Sequence, residues 1–244
     1  MFMTLTGADN STNPHALIEL AERYAPGQVE FGILYSSSRR GTGRYPTRDW
    51  INNFVTTVER SPSTRRALHL CGRDAILEYL CDDGFVATVA PHFQRVQLNL
   101  RAADYVPDLL SNGIAKHKNQ TVITQHNKAN AGLSGALIGL ANHAILFDES
   151  GGRGTRPEYW QRAFSTVPHG YAGGLGPDNL AVELTSIKQV ASSGWWVDME
   201  SKLRDAHDKF DVGRAEQCAA IFERSVCGVM DTNAPLALSL GQVD

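Results

Sequence analysis

The sequence predicts a single-domain α/β protein, a (β/α)8 TIM barrel, and three observations carry this prediction. The chain has 244 residues, which fits one barrel of typically about 250 residues better than two separate domains. Eight short apolar or β-branched segments recur along it, as strands would. Most of the intervals between them hold a stretch with helical periodicity. A strand–helix unit that repeats eight times closes into a barrel.

The predicted elements follow one another in a regular order. The strands cover residues 2–6, 29–35, 67–71, 95–100, 121–125, 143–148, 170–172 and 195–199. Residues 144–147 are apolar without alternation, which is typical of parallel strands that helices cover. The helices cover residues 14–24, 50–59, 74–80, 129–141, 178–191 and 212–223. An open doubly wound sheet is the competing architecture, but the G-x-G-x-x-G that usually follows its first strand is absent.

Composition and charge exclude several classes of protein. The chain is 42% hydrophobic and 20% charged, so it is not disordered. A net charge of −3 gives no cationic surface for nucleic acid. No apolar run approaches the roughly 20 residues of a membrane span, and the first residues do not resemble a signal peptide. Four cysteines without a C-x-x-C pair favour a cytoplasmic protein with reduced thiols and no zinc knuckle. We expect no metal and no other cofactor.

The predicted barrel does not use the whole chain. It accounts for residues 1–224, and residues 225–244 form a short C-terminal extension. We expect this extension to pack on the barrel or to contact a partner. The oligomeric state that we expect is a monomer or a homodimer.

Polar residues end the predicted strands, and the active site of a barrel lies at the carboxyl ends of its strands. These residues are Thr6, Ser36, Cys71, Asn99, Gln125, Asp148, the pair Gly173 and Gly174, and Asp198. Any one of them is as well explained as a turn former or a helix cap. The set as a whole favours a functional site.

Two glycine-rich segments follow late strands. Residues 147–155 come after the sixth strand, and residues 172–179 come after the seventh. Glycines let backbone N–H groups approach an anion closely, and a following helix adds its positive N-terminal end. Because barrels often bind phosphate after strands 7 and 8, the second segment is the stronger candidate for a phosphate site. The first is equally well explained as a flexible connection.

From Phe2 to about residue 224 the sequence resembles phosphoribosylanthranilate isomerase, the barrel enzyme of tryptophan synthesis. The most specific match is residues 172–179, Ala-Gly-Gly-Leu-Gly-Pro-Asp-Asn, which is similar to the family's phosphate-binding Gly-Gly-Leu-x-Pro-x-Asn loop. Four other segments match family motifs in the right order: residues 32–35 with Arg44 and Tyr45, residues 96–98, residues 146–148 with Trp160, and residues 197–198.

The resemblance implies an Amadori rearrangement, in which a phosphorylated ribosylamine opens and isomerises to a ketose. Opening needs a proton on the ring oxygen, and enolisation needs a base at the adjacent carbon. The resemblance implies that Asp148 is the general acid and that Arg44 binds a carboxylate on the aromatic part of the ligand. We expect further substrate contacts from Asn99, Gln125 and Asp198, which end predicted strands, and the resemblance assigns the phosphate to Gly173, Gly174, Glu200, Ser201 and Lys202.

The sequence departs from the family at the catalytic base, which is a cysteine in a Cys-Gly pair at the end of strand 1. Here the pair is Thr6-Gly7, and a threonine hydroxyl forms no anion near neutral pH. Cys71, which restores a thiol at a strand end, is the main candidate to replace it. The other candidates are Asp9, His69 and Glu200.

Two further positions depart from the family. Asn99 stands where the family has a histidine, and residues 199–202 stand where it has two serines and a glycine. Glu200 brings negative charge toward the expected phosphate. Two hypotheses therefore remain. The chain is an isomerase of this type, or it is a non-catalytic barrel that binds or sequesters a small phosphorylated ligand such as a nucleotide-like or phosphoribosyl compound.

Overall fold

The protein is a closed barrel of eight parallel strands that follow one another in sequence order. The computed structural model describes residues 1–61, 63–163 and 167–227. The strands are β1 Phe2–Thr6, β2 Val29–Tyr35, β3 Arg65–Cys71, β4 Arg95–Asn99, β5 Thr121–His126, β6 His143–Phe147, β7 His169–Ala172 and β8 Trp196–Met199. Each lies within two residues of its predicted limits. The predicted fold class is confirmed.

Eight α-helices surround the strands in the described part of the chain. They are α1 Pro14–Ala21, α2 Arg48–Val58, α3 Arg73–Leu80, α4 Gly84–Val89, α5 Pro107–Lys116, α6 Ala131–Leu137, α7 Leu180–Val190 and α8 Val212–Cys227. Six of them overlap the six predicted helices. Between β6 and β7, the described residues form no helix. None of the described helices combines the length and the apolarity needed to cross a membrane.

Two helices, α4 and α5, were not predicted. Helix α5 contains Ser111, Asn112 and Gly113 in succession, and all three residue types have lower helix propensity than alanine or leucine. The helix forms because Leu110 and Ile114 are fully buried, one turn apart on the same face. Burial of this face stabilises the helix where its local propensity is weak.

The apolar core has two parts, one on each side of the strands. The larger part fills the space between the strands and the helices, and a smaller cluster lies inside the barrel. The adjacent tryptophans of β8 show the division, because neighbouring residues of a strand face opposite sides. Trp195 packs against Phe222 of α8, whereas Trp196 stacks on Phe2 inside the barrel with 5.8 Å between ring centroids. Both tryptophans therefore belong to the core.

One side of the barrel interior is polar. Arg95 and Glu30 form an ion pair with 2.8 Å between Nη1 and Oε1, and their side chains are only 3% and 0% exposed. Thr4 also donates to Glu30 Oε1 at 2.8 Å. The Arg95 guanidinium lies over the Trp196 ring, 3.9 Å from its centroid. This buried group lies below the carboxyl ends of the strands.

The described part of the chain ends within the predicted extension. Helix α8 continues to Cys227, and residues 228–244 lie outside the described residues. The role assigned to residues 225–244, the domain boundary at 224, the cytoplasmic location and the oligomeric state therefore stay predictions.

Candidate active site

A cavity of about 470 Å³ opens at the carboxyl ends of the strands. The parallel register brings these ends to one side of the barrel, where active sites of this fold lie. The predicted site residues that line the cavity are Arg44, Cys71, Asn99, Gln125, Asp148, Gly173, Gly174, Asp198, Glu200 and Ser201. Thr6 and Lys202 are not among the lining residues. Thr6 is fully buried below the cavity, and Lys202 is exposed to solvent.

Asp148 is held in the cavity wall by four hydrogen bonds. Its Oδ1 accepts from the backbone N–H and the hydroxyl of Ser150, at 3.1 and 2.7 Å. Its Oδ2 accepts from the N–H of Gly152 at 2.7 Å and from Nε2 of Gln125 at 3.0 Å. The loop that follows β6 therefore folds around its own first residue. Gln125 contacts Asp148, so it positions the carboxylate as well as lining the cavity.

The two glycine-rich segments pack against each other at the cavity rim. A Cβ at Gly174 would lie 2.8 Å from the carbonyl oxygen of Gly154, which is too close. Gly174 also has φ +61°, in the left-handed region that favours glycine. A Cβ at Gly154 would in turn lie 2.8 Å from Oγ of Ser201. The loops after β6, β7 and β8 thus form one continuous wall, and the first segment is structured as well as the second.

Asn179 fixes the conformation of the loop after β7. Its Oδ1 accepts from the N–H of Gly176 at 2.9 Å, and its Nδ2 donates to the carbonyl of Gly174 at 3.0 Å. Because a trans peptide places C=O and N–H on opposite sides, the N–H of Leu175 points away from Asn179. Gly173, Gly174 and Leu175 all line the cavity, so this segment presents backbone to a ligand.

Arg44 is already engaged by carboxylates of the same chain. Its guanidinium pairs with Glu200 at 2.5 Å and with Asp208 at 3.1 Å. Desolvation lowers the pKa of Arg44, but the hydrogen bond and charge of Glu200 outweigh it, so the net shift is upward. A ligand carboxylate would have to compete with Glu200 for this guanidinium.

Cys71 lines the cavity as a neutral thiol. Its Sγ accepts a hydrogen bond from Nδ2 of Asn99 at 3.1 Å. Burial raises the pKa of Cys71 to about 11, although the hydrogen bond from Asn99 opposes the shift. Because the thiolate is the basic form, a thiol with this pKa is a poor base at neutral pH. Asn99 also accepts from Gln97 at 2.9 Å, so it takes part in a small polar network.

Two other candidates for the base, Asp9 and His69, do not line the cavity. Asp9 forms a buried ion pair with Arg204 at 2.6 Å. Desolvation raises the pKa of Asp9, but hydrogen bonds from Ser11 and Arg204 outweigh it and the net shift is downward. Burial and the nearby charge of Arg95 lower the pKa of His69 to about 3. Both side chains are buried in the interior of the protein, away from the cavity.

Thr6 and Asp198 form a direct hydrogen bond across the closure of the barrel. The hydroxyl of Thr6 donates to Oδ1 of Asp198 at 2.6 Å, because β1 pairs with β8. Burial raises the pKa of Asp198 to about 7; the hydrogen bond from Thr6 opposes the shift, and the charge of Glu200 adds to it. Asp198 thus brings to the cavity a carboxyl group whose pKa lies near neutral.

Several lining residues were missed by sequence reasoning. They include Arg39, Tyr45, Arg101, Ser150 and Gly152. Ser150 and Gly152 follow the predicted acid within four residues, so their position in the glycine-rich segment was the available signal. Arg39 lies over the ring of Tyr45, 4.3 Å from its centroid, and nothing in the sequence signals this contact. Arg39 and Arg101 add positive charge to the cavity rim.

The chain has the fold of solved phosphoribosylanthranilate isomerases. TrpF from Jonesia denitrificans superposes with a TM-score of 0.62 at 19% identity, over 93% of this chain and 98% of that one. The phosphoribosyl anthranilate isomerase from Thermus thermophilus gives 0.60 at 16% identity, over 91% and 98%. A third, in complex with reduced 1-(o-carboxyphenylamino)-1-deoxyribulose 5-phosphate, gives 0.57 at 17% identity, over 94% and 100%. The resemblance noted in the sequence is thus confirmed for the fold.

Other comparisons limit what this likeness carries. No family model matches the sequence, and no curated protein matches it either. A GH18 chitinase from Pseudoalteromonas aurantia also shares the fold, with a TM-score of 0.52 at 10% identity. Since one fold hosts many chemistries, function has to be argued from the cavity.

Proposed function

We propose that the protein is an intramolecular isomerase of the phosphoribosylanthranilate isomerase type, which converts a phosphoribosyl-amine-type substrate to the ketose by an Amadori rearrangement. One observation carries the proposal. Besides Glu200, which pairs with Arg44, a single cavity holds two carboxyl groups, Asp148 and Asp198, beside a wall of glycine-rich backbone. Acid–base chemistry on a phosphorylated sugar needs both components.

Asp148 acts as the general acid in this proposal. It delivers a proton to the ring oxygen as the sugar opens, and the nitrogen lone pair forms an iminium ion. The hydroxyl of Ser150, 2.7 Å from Oδ1, can accept as well as donate a hydrogen bond. It therefore fits the carboxyl group both before and after it releases the proton.

The phosphate lies against the wall formed by Gly173, Gly174 and Ser201. Backbone N–H groups and the Ser201 hydroxyl are uncharged donors that suit phosphate oxygens. Glu200 faces away from this group toward Arg44, with which it pairs, so its charge is partly neutralised. Lys202 is exposed, and in this proposal it attracts the anion from solvent rather than contacting it.

A direct assay tests the proposed function. The purified full-length chain is incubated with phosphoribosylanthranilate, and loss of substrate fluorescence with formation of the ketose is followed. We expect turnover that inorganic phosphate inhibits competitively. Absence of turnover by soluble, folded protein, together with failure to support growth of an isomerase-deficient tryptophan auxotroph, would refute the proposal.

The loop held by Asn179 gives a prediction about substrate binding. In Asn179→Ala, the carbonyl of Gly174 and the N–H of Gly176 lose their partner. We expect KM for the phosphorylated substrate to rise roughly tenfold, which is about 1.4 kcal/mol, with a smaller change in kcat. Steady-state kinetics and the inhibition constant of phosphate measure the effect.

Asn142 offers a matched control, because its Nδ2 donates to the backbone carbonyls of Ile114 and His117 at 2.9 and 3.1 Å. It lies just before β6, at the opposite end of the barrel from the cavity. Asn142→Ala should lower the melting temperature and leave KM unchanged. Equal KM values for Asn179→Ala and the wild-type chain would contradict a phosphate site at this loop.

The pairing of Arg44 favours a second candidate function, binding of a phosphorylated ligand without turnover. Glu200 already forms an ion pair with the Arg44 guanidinium, which would otherwise recognise the substrate carboxylate. If the natural ligand lacks this carboxylate, the cavity serves to bind or sequester another phosphoribosyl or nucleotide-like compound. A rise in melting temperature with such compounds, without their conversion, would support this function.

The variant Glu200→Gln tests whether Arg44 recognises a substrate carboxylate, which the first candidate function requires. It frees Arg44 from its strongest partner, so a substrate with a carboxylate should bind roughly fivefold more tightly, about 1 kcal/mol after allowance for partial exposure. The measurement compares the change in KM for phosphoribosylanthranilate with the change in Kd for a phosphoribosyl compound that lacks a carboxylate. Parallel changes in both constants would show that Arg44 does not recognise the carboxylate.

A further inference from the structure

The proposed reaction needs a base that removes the proton from C2 after the ring has opened. The end of β1 does not supply this base. Thr6 is fully buried and does not line the cavity. A hydroxyl in this position cannot touch a substrate. The Thr6 hydroxyl can therefore act only on another residue of the protein. It donates its hydrogen bond to Asp198.

A glycine on β2 leaves the space in which the Thr6 side chain lies, and the Thr6 hydroxyl points toward β8. Gly32 is the register partner of Thr6 on β2, and a Cβ at Gly32 would clash with Oγ1 of Thr6. The missing side chain leaves room for the threonine inside the barrel. On its other side the hydroxyl meets Oδ1 of Asp198 at 2.6 Å.

Asp198 combines access to the cavity with a suitable protonation equilibrium. It is 8% exposed, it lines the cavity, and Oδ2 accepts no hydrogen bond from the described residues. Desolvation is the main cause that raises its pKa to about 7. The charged groups around it are Glu200 just after the same strand, Glu30 on β2 and Arg95 on β4. A base with a pKa near the working pH is close to the optimum for proton transfer.

We propose that Asp198 is the general base of the isomerisation and that Thr6 is its positioning residue, replacing the cysteine that the family carries at the end of strand 1. This inference rests on the proposed function. It makes Asp198 a catalytic residue rather than only a substrate contact. It also explains why a threonine at position 6 is compatible with activity.

The proton transfers balance. Asp148 protonates the ring oxygen, the bond from C1 to this oxygen breaks, and the nitrogen lone pair forms the C=N bond of an iminium ion. The Asp198 carboxylate then removes the proton from C2, and the electrons of that bond form C1=C2 while the C=N electrons return to nitrogen. Asp198 then delivers its proton to C1, and the 2-hydroxyl proton passes to the Asp148 carboxylate as the ketone forms, so both carboxyl groups return to their starting states.

The strand register places the two carboxyl groups two strands apart on the barrel wall. Ala172 of β7 is the register partner of Asp198, and Asp148 directly follows β6, on the other side of β7. Two interstrand spacings correspond to about 10 Å along the sheet. A sugar between them can meet the acid at its ring oxygen and the base at C2.

The pH dependence of kcat/KM in variants of Thr6 tests the inference. Because ionised Asp198 is the active form, its titration should give the pH profile of kcat/KM a limb with an apparent pKa near 7. Thr6→Val removes a hydrogen bond that favours the ionised form, and this limb should move upward by about one pH unit. Thr6→Ser should restore it.

Thr4→Val is the matched control, because Thr4 is buried in the same strand and donates to Glu30 instead. It should lower stability without moving the limb. A limb that stays in place in Thr6→Val, or moves equally in Thr4→Val, would overturn the role of Thr6.

Asp198→Asn tests the base itself and has a readout that needs no substrate. We expect kcat/KM to fall by about 10³. A carboxyl whose pKa is raised on folding loses stability as pH rises from about 4 to about 7. The melting temperature of the wild-type chain should therefore fall relative to Asp198→Asn across this range.

The outcomes separate the two proposals. No turnover by the wild-type chain would refute the proposed function and, with it, the base for this reaction. Turnover by the wild-type chain with Asp198→Asn within tenfold of it would overturn the base assignment alone. Parallel melting curves of these two proteins against pH would contradict the titration on which the assignment depends.

Discussion

Replacement of Asp148 by asparagine is expected to lower kcat for phosphoribosylanthranilate by a factor on the order of 10³ or more, within the 10²–10⁴ that general acid–base catalysis typically contributes. An amide cannot deliver a proton to the ring oxygen. It also sets an NH₂ group against a fixed donor, the N–H of Gly152 or of Ser150, each of which contacts one carboxylate oxygen. Both effects act at the chemical step, since Asp148 lines the cavity beside the proposed site of ring opening.

Asp205 provides a control for the local structure. Its Oδ1 accepts from the backbone N–H groups of His207 and Lys209 at 2.8 and 2.9 Å, so it holds its own loop as Asp148 does. It does not line the cavity, and Asp205→Asn should keep full activity. The inhibition constant of phosphate shows whether the rim is intact in Asp148→Asn. Retention of more than a tenth of the wild-type kcat would exclude Asp148 as the acid.

Replacement of Glu30 by leucine is expected to reduce the free energy of unfolding by roughly 3–5 kcal/mol, the usual cost of leaving one charge of a buried pair without its partner. Arg95 would remain in the barrel interior, only 3% exposed, without the carboxylate that lies 2.8 Å away. At roughly 2–4 °C per kcal/mol for a chain of this size, the melting temperature should fall by about 6–20 °C. Urea denaturation followed by circular dichroism measures the loss.

The double variant Glu30→Leu/Arg95→Leu tests whether the pair or the packing is responsible. Replacing both members of a buried ion pair by apolar residues is often neutral or stabilising. The double variant should therefore be more stable than Glu30→Leu, by about 2 kcal/mol or more. Additive losses would mean that packing of Arg95 on Trp196 and Phe2, rather than charge pairing, stabilises this part of the interior.

The fold could be predicted almost completely because each strand carries a local signal. Residues 144–147 are apolar in sequence and form most of β6. Helices α4 and α5 were missed because their stability depends on burial rather than propensity. In α5, Gly113 weakens the helical pattern, and packing of Leu110 and Ile114 compensates for it.

The candidate site could be predicted only in part. Asp148, Gly173 and Gly174 stood out because they belong to segments with a chemical pattern of their own, and all three line the cavity. The pairing of Arg44 with Glu200 could not be foreseen, because it joins residues 156 positions apart. The titration of Asp198 could not be foreseen either, because it depends on burial and on charges from other strands.

The sequence by itself determined the fold class, the end of the barrel at which the candidate site lies, and ten of the 25 residues that line the cavity. Only the tertiary structure decided what these residues do to one another. The pair formed by Thr6 and Asp198 illustrates the reason: the two residues are 192 positions apart, and they meet only when β1 closes the barrel on β8. Strand and turn signals act over a few residues, whereas protonation states depend on neighbours that only barrel closure brings together.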